Sequence, residues 1–344
     1  MNQISFNPAS FYPVFGLRST HTQSMLNSSA FRRHIVRRRF RSLLDAQQEW
    51  TVDGGNGVRL LGHYSPQAAG SKGLDVLFHG WEGSSRSNYI VGAGGMLFER
   101  GYDVFRLNFR DHGESHHINA GIFHSCRLDE VVHAVKDIQQ RLGAQNWALC
   151  GYSLGGNFAL RVALAAPAAG LSLARVVAIS PVISPANTLK AMEDGPGGRY
   201  EDYYIRKWAK SVRLKQHYFP DAYDYDEWHR LPGLREKTNF MATHYYQFES
   251  VEQYFDGYSL AGNRLAALKI PTTILTSADD MVIPIGDFGD LPENENIELL
   301  VTRYGGHCAF LKNWKMHSWA DDVIGARVSE CYQDVERVMG IEPT

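Results

Sequence analysis

Ser153 stands in Gly151-Tyr152-Ser153-Leu154-Gly155, with the apolar Trp147-Ala148-Leu149-Cys150 before it and an alanine-rich run, Asn157 to Pro167, after it. The first run reads as a short buried strand and the second as a helix. A serine on a sharp strand-to-helix turn is the setting of a nucleophile elbow. Such a turn brings its flanks against neighbouring backbone, and glycines allow that because they carry no Cβ. A serine hydroxyl is a weak nucleophile at neutral pH. It needs an adjacent base, and the base needs a carboxylate to orient it. At an elbow of this kind the acid and then the histidine follow along the chain.

Both partners are present in that order. An apolar run ending at Thr276 leads into Ser277-Ala278-Asp279-Asp280-Met281-Val282-Ile283-Pro284, and the next leads into Tyr304-Gly305-Gly306-His307. The expected triad is therefore Ser153, Asp280 and His307. Asp280 is preferred because it stands four before Pro284, and Asp279 is the alternative. An oxyanion needs two preorganised donors. One is the N–H of Leu154, directly after the serine; the other is expected from the N–H of Trp81, in the loop after Phe78. His79 reads as a structural hydrogen-bonding residue. His112, His116, His117 and His124 crowd one stretch but lack metal-ligand spacing, so neither metal nor cofactor is expected.

These loops need a scaffold. Alternation on either side of Asp53-Gly54-Gly55-Asn56-Gly57 predicts an antiparallel hairpin over 49–64. Short apolar runs at Leu74–Phe78, Asp103–Asn108, Val176–Ile179, Thr272–Thr276 and Ile297–Val301 read as further strands. Helical periodicity appears at 128–142, at 319–338 and after the elbow. Strands alternating with helices argue for an α/β class: a mostly parallel sheet with helices on both faces, its ligands beyond the carboxyl ends of the strands. Every motif above falls at such an end. The alternation breaks over 183–265, where tyrosines and tryptophans are dense and no strand pattern appears. This predicts an inserted helical lid with an aromatic wall over a pocket. The core is then 49–182 with 266–344, and residues 1–48 form an extension packed on it, the least regular part of the chain.

The 344 residues suffice for one large domain, and 44% hydrophobic with 21% charged residues is ordinary for a globular protein. A net charge of −2 gives no reason to expect nucleic acid. Four scattered cysteines read as reduced thiols, and no secretory leader or apolar span is evident, so a cytoplasmic location is expected. The arginines of Arg32–Arg41, interleaved with Ile35, Val36 and Phe40, are either a solvated face or a peripheral membrane contact.

The sequence resembles the α/β-hydrolase superfamily, and within it the YheT-like branch that includes plant embryogenesis-associated proteins. The resemblance is carried by Phe11-Tyr12-Pro13, His21-Thr22-Gln23, His79-Gly80-Trp81-Glu82-Gly83-Ser84-Ser85, Phe123-His124-Ser125, Phe248-Glu249-Ser250, Glu252-Gln253-Tyr254-Phe255, and the elbow, aspartate and histidine motifs. Two positions depart from it: Asp111, where the family tends to have glycine, and Met281, where proline is common. The resemblance implies a serine hydrolase acting on ester bonds, with relatives directed at lipids or short acyl esters. The reading is a carboxylic ester hydrolase. Its rivals are a phospholipase or lipid acyl hydrolase or acyltransferase at a membrane surface, and a hydrolase-fold protein that binds without turnover.

Overall fold

The computed structural model describes residues 11–143, 147–195 and 199–338. Its strands are β1 (Gln48–Asp53), β2 (Arg59–Ser65), β3 (Leu74–Phe78), β4 (Asp103–Leu107), β5 (Trp147–Tyr152), β6 (Arg175–Ile179), β7 (Thr272–Ser277) and β8 (Ile297–Thr302). Helices α1 (Thr20–Asn27), α2 (Ala30–Arg39) and α3 (Arg41–Asp45) precede the sheet. Between strands lie α4 (Asn88–Glu99), α5 (Leu128–Leu142) and α6 (Leu154–Ala169). After β6 come α7 (Pro185–Glu193), α8 (Arg199–Tyr218), α9 (Asp226–Arg230), α10 (Leu234–His244) and α11 (Val251–Asp256), and α12 (Trp319–Val338) follows β8.

The eight strands form one sheet in the order β1-β2-β4-β3-β5-β6-β7-β8. The predicted hairpin is there, with β1 antiparallel to β2 and β2 antiparallel to β4; every other pairing is parallel. The central strands are buried on both sides, so they read as unbroken apolar runs. Their side chains still alternate between two cores. Val76, Phe78, Leu149 and Ala178 face one, with Ile138 of α5 and Phe158 of α6. Leu77, Ala148, Cys150 and Val177 face the other, with Leu97 of α4 and Ile324 of α12. This two-residue period fixes register, because a slip by one residue would exchange the faces of a whole strand.

The described residues between β6 and β7 form five helices, α7 to α11, and a short 3₁₀ turn, and contribute Trp208, Trp228, Met241 and Tyr254 to the first core. Residues 11–48 are more regular than their sequence promised. Ser19 and Ser29 cap α1 and α2, their hydroxyls accepting the N–H groups of Thr22 and Arg32. Phe40 and Leu43 of this segment are buried in the second core. The arginine run is not one surface. Arg32 is 0% exposed and Asp321 of α12 opposes its charge, whereas Arg33, Arg37, Arg38, Arg39 and Arg41 are exposed. A membrane contact through the whole of Arg32–Arg41 is therefore corrected: Arg32 faces the interior. Among the described residues no helix is long and apolar enough to cross a membrane.

Candidate active site

β5 ends at Tyr152 and α6 begins at Leu154, leaving Ser153 alone on the turn with φ +54° and ψ −119°. A non-glycine residue at positive φ is strained and persists only where its surroundings hold it. Here the Ser153 N–H donates to the Ile179 carbonyl at 2.9 Å, and the Val182 N–H donates to the Ser153 carbonyl at 3.3 Å. The two glycines are required by contact. A Cβ on Gly151 would lie 2.2 Å from the Gly155 carbonyl oxygen, and one on Gly155 would lie 2.3 Å from that of Phe78. Neither neighbour is a side chain that could turn aside. Gly155→Ala is expected to cost about 3 kcal/mol of stability, read as a lower urea midpoint with unchanged slope. An unchanged midpoint would mean the elbow tolerates a displacement that the packing forbids.

The sequence-predicted residues converge. The Ser153 hydroxyl lies 3.0 Å from His307 Nε2, and His307 Nδ1 lies 2.9 Å from Asp280 Oδ2 and 3.2 Å from Oδ1. Asp280 is the aspartate on the imidazole. Its Oδ1 also accepts the N–H groups of Val282 and Ile283 at 2.8 and 3.0 Å, which locks the carboxylate plane. Neither bond involves the N–H of Met281, so the missing proline leaves this geometry intact. Asp279 points away from the ring. Its Oδ1 accepts the Gly306 N–H at 2.9 Å and shapes the histidine loop. Burial of the His307 ring opposes the imidazolium, but the Asp280 carboxylate outweighs it and holds the ring's pKa well above the usual histidine value.

Residues that sequence reasoning missed brace this loop from α1. Ser24 Oγ accepts the His307 N–H at 3.1 Å, and Asn27 donates to the Cys308 carbonyl at 3.1 Å. Gln23, fully buried, donates to the carbonyls of Leu17 and Leu311 and accepts the Leu311 N–H. The one sequence signal here was His21-Thr22-Gln23, a stretch that carries the family resemblance, and no periodicity gave it a role.

Trp81 sits in the loop after β3, its ring stacked on Tyr204 at 5.4 Å and edge-on to Trp208 at 5.2 Å. Its N–H and that of Leu154 donate to no acceptor among the described residues. His79 is structural: Nδ1 donates to the Gly80 carbonyl and Nε2 accepts the Phe109 N–H, with burial pushing its pKa down to about 4. The other histidines go separate ways. His112 packs on Phe123, His116 bonds Ser211, His117 meets Tyr218 and His124 meets Tyr246. Among the described residues no group of three His, Cys, Asp or Glu could hold a metal. Asp111 explains its own departure from glycine. It has φ +56°, the conformation that favours glycine, and it accepts the Phe123 N–H at 2.8 Å and an ion pair from Lys215 of α8 at 2.8 Å.

Ser153 lies between two cavities. An inner one of about 100 Å³ is walled by Ile122, Val182, Leu189, Met192, Trp208 and Phe255. An outer one of about 550 Å³ runs between α1 and α8 and includes His307.

Comparison with known proteins agrees with this fold. The model of the alpha/beta hydrolase fold matches residues 76–313, more than half of the chain. The chain belongs to that family. The hydrolase is 26% identical over 318 residues to the Escherichia coli protein named "Putative esterase YheT", covering 90% of this chain and 89% of that one. It is 22% identical to Homo sapiens "Phospholipase ABHD3" over 256 residues, 71% of this chain and 60% of that one. Among solved structures, the Pyrococcus furiosus esterase Pf2001 superposes with a TM-score of 0.57 at 15% identity, covering 96% of this chain and 98% of that one; this likeness concerns the fold alone.

Proposed function

We propose that this hydrolase cleaves carboxylic esters through an acyl-enzyme formed on Ser153. The observation that carries the reading is the unbroken chain of hydrogen bonds from Ser153 Oγ through His307 to Asp280, with a cavity on either side of the hydroxyl. With Nδ1–H donated to Asp280, Nε2 is left to accept the serine proton. Oγ attacks the acyl carbon, and the N–H groups of Leu154 and Trp81 receive the oxyanion. His307 returns the proton to the leaving alcohol. Water then enters, gives its proton to His307, and releases the acid. The names of YheT and ABHD3 support an ester substrate, and the small apolar inner cavity suits a short acyl group. The insertion over residues 183–265 acts as the lid that walls that cavity.

A fluorophosphonate probe reacts only with an activated serine. It is expected to label the native chain at Ser153 in proportion to active sites and to leave Ser153→Ala unlabelled. Equal labelling of both, or labelling of neither, would remove the acyl-enzyme mechanism.

A further inference from the structure

A third cavity, of about 490 Å³, adjoins the outer one and is lined by cations from three separate stretches. Arg33 and Arg37 come from α2, Arg86 from the turn before α4, and Lys207 and Lys210 from α8. Arg86 is paired with Glu114 at 2.9 Å. Arg33, Arg37, Lys207 and Lys210 form no ion pair among the described residues.

Two carboxylates face the same space, and neither neutralises it. Asp111 is committed to Lys215. Glu82 is pushed up to about 8 by burial, which favours its neutral form, against the pull of Lys207. Arg106 is pushed down to about 10, by burial first and then by Arg86 and Arg37; His116 is pushed down to about 4, by burial first and then by Lys215 and Lys210.

A basic stretch is ordinarily a solvated face whose charged heads separate into water. Here they converge on a concavity, and a cleft of one sign focuses its field on an incoming counter-charge. The groove also borders the site. It shares Asn27, Ser28, Tyr89, Tyr203 and Lys207 with the outer cavity that holds Ser153 and His307. Lys207 Nζ donates to the Glu82 carbonyl at 3.0 Å, one residue beyond the Trp81 N–H.

We propose that this groove binds a phosphate group on the alcohol side of the ester, so that the hydrolase acts on acyl esters of phosphorylated alcohols. Guanidinium and ammonium groups together suit a phosphate's several oxygens. The acyl group enters the inner cavity and bonds to Ser153 Oγ. The ester C–O bond breaks, and the alcohol leaves with the proton from His307 and its phosphate intact. Water then releases the acid as before. This rests on the acyl-enzyme reading. The phosphate could belong to a soluble alcohol or to a phospholipid headgroup.

The test compares butyryl glycerol 3-phosphate with the neutral monobutyryl glycerol. The native chain is expected to favour the phosphate ester by about tenfold or more in kcat/KM, and added salt should erode the preference. Arg37→Glu with Lys210→Glu should bring the ratio to one or below; the corresponding Gln pair serves if charge reversal unfolds the chain. Calorimetry should show glycerol 3-phosphate binding to Ser153→Ala protein and its loss with the two basic residues replaced. Preference for the phosphate ester in solution assigns a soluble alcohol, and preference seen only for long-chain phosphatidic acid over diacylglycerol, both carried in phosphatidylcholine vesicles, assigns a headgroup. A ratio near one both in solution and in vesicles, with brisk turnover of the neutral esters, overturns the inference and leaves the hydrolase reading standing. Binding of glycerol 3-phosphate that ignores the Arg37 and Lys210 changes overturns it equally. Turnover of neither ester, without fluorophosphonate labelling, removes both readings together.

Discussion

Ser153→Ala is expected to lower kcat on a chromogenic short-chain ester by about 10⁶-fold, with the chain still folded. The size follows from how the residues are coupled. His307 Nε2 has Ser153 Oγ at 3.0 Å as the group whose proton it takes; without that oxygen the base has no nucleophile to activate. The proposed oxyanion donors, the N–H groups of Leu154 and Trp81, are untouched by this change, so a residual rate of about 10³- to 10⁴-fold over water should survive. The same logic makes the triad non-additive: Ser153→Ala combined with His307→Ala should be no slower than either alone. Folding is spared because the strained φ of +54° is imposed by backbone bonds to Ile179 and Val182, which alanine keeps. Near-native melting with lost turnover is the expected pair of observations. A loss below about a hundredfold would mean another residue supplies the nucleophile.

How much of this was legible in the sequence depends on whether a residue's neighbours are local. The elbow glycines, the two loops after β7 and β8, and the α5 stripe over Leu128–Leu142 carry their reasons in short stretches, and the sheet places them as read. α4 was not legible. Asn88–Glu99 holds Gly92, Gly94 and Gly95, which propensity disfavours in a helix. They are there for distant partners: a Cβ on Gly95 would lie 2.0 Å from Phe40, and one on Gly92 would lie 2.9 Å from Asp321. Tertiary contact outweighs local preference, and no window of sequence contains both sides of it. The hold of α1 on the histidine loop is hidden for the same reason, since Ser24 and His307 are 283 residues apart. The distance to Pro284 already favoured Asp280 over Asp279, but the role of Asp279 needed coordinates, because adjacent aspartates in one loop point in different directions.

That choice yields the sharpest remaining expectation. Asp280→Asn should lower kcat by about 10⁴-fold, while Asp279→Asn should cost less than about tenfold. In Asp280 the two oxygens have distinct partners: Oδ1 accepts the Val282 and Ile283 N–H groups, and Oδ2 makes the shorter contact to His307 Nδ1. Asparagine keeps the backbone bonds only by leaving its oxygen at Oδ1, which turns its NH₂ toward Nδ1. The ring must then accept there and carry its proton on Nε2, where it can no longer receive one from Ser153. Asp279 faces a backbone N–H with one oxygen, a contact that an asparagine oxygen reproduces. The pH profile gives an independent reading. Asp280 holds the His307 pKa above its ordinary value of about 6.5, so native kcat/KM should rise with pH along a limb centred above that value. The pair's contribution to stability has the opposite slope, fully present below about 6.5 and lost as pH rises through the raised value. Asp280→Asn should move the limb of the residual activity to lower pH and selectively weaken the fold under acidic conditions. If Asp279→Asn instead produces the large loss and the displaced limb, the imidazole is oriented by the other carboxylate.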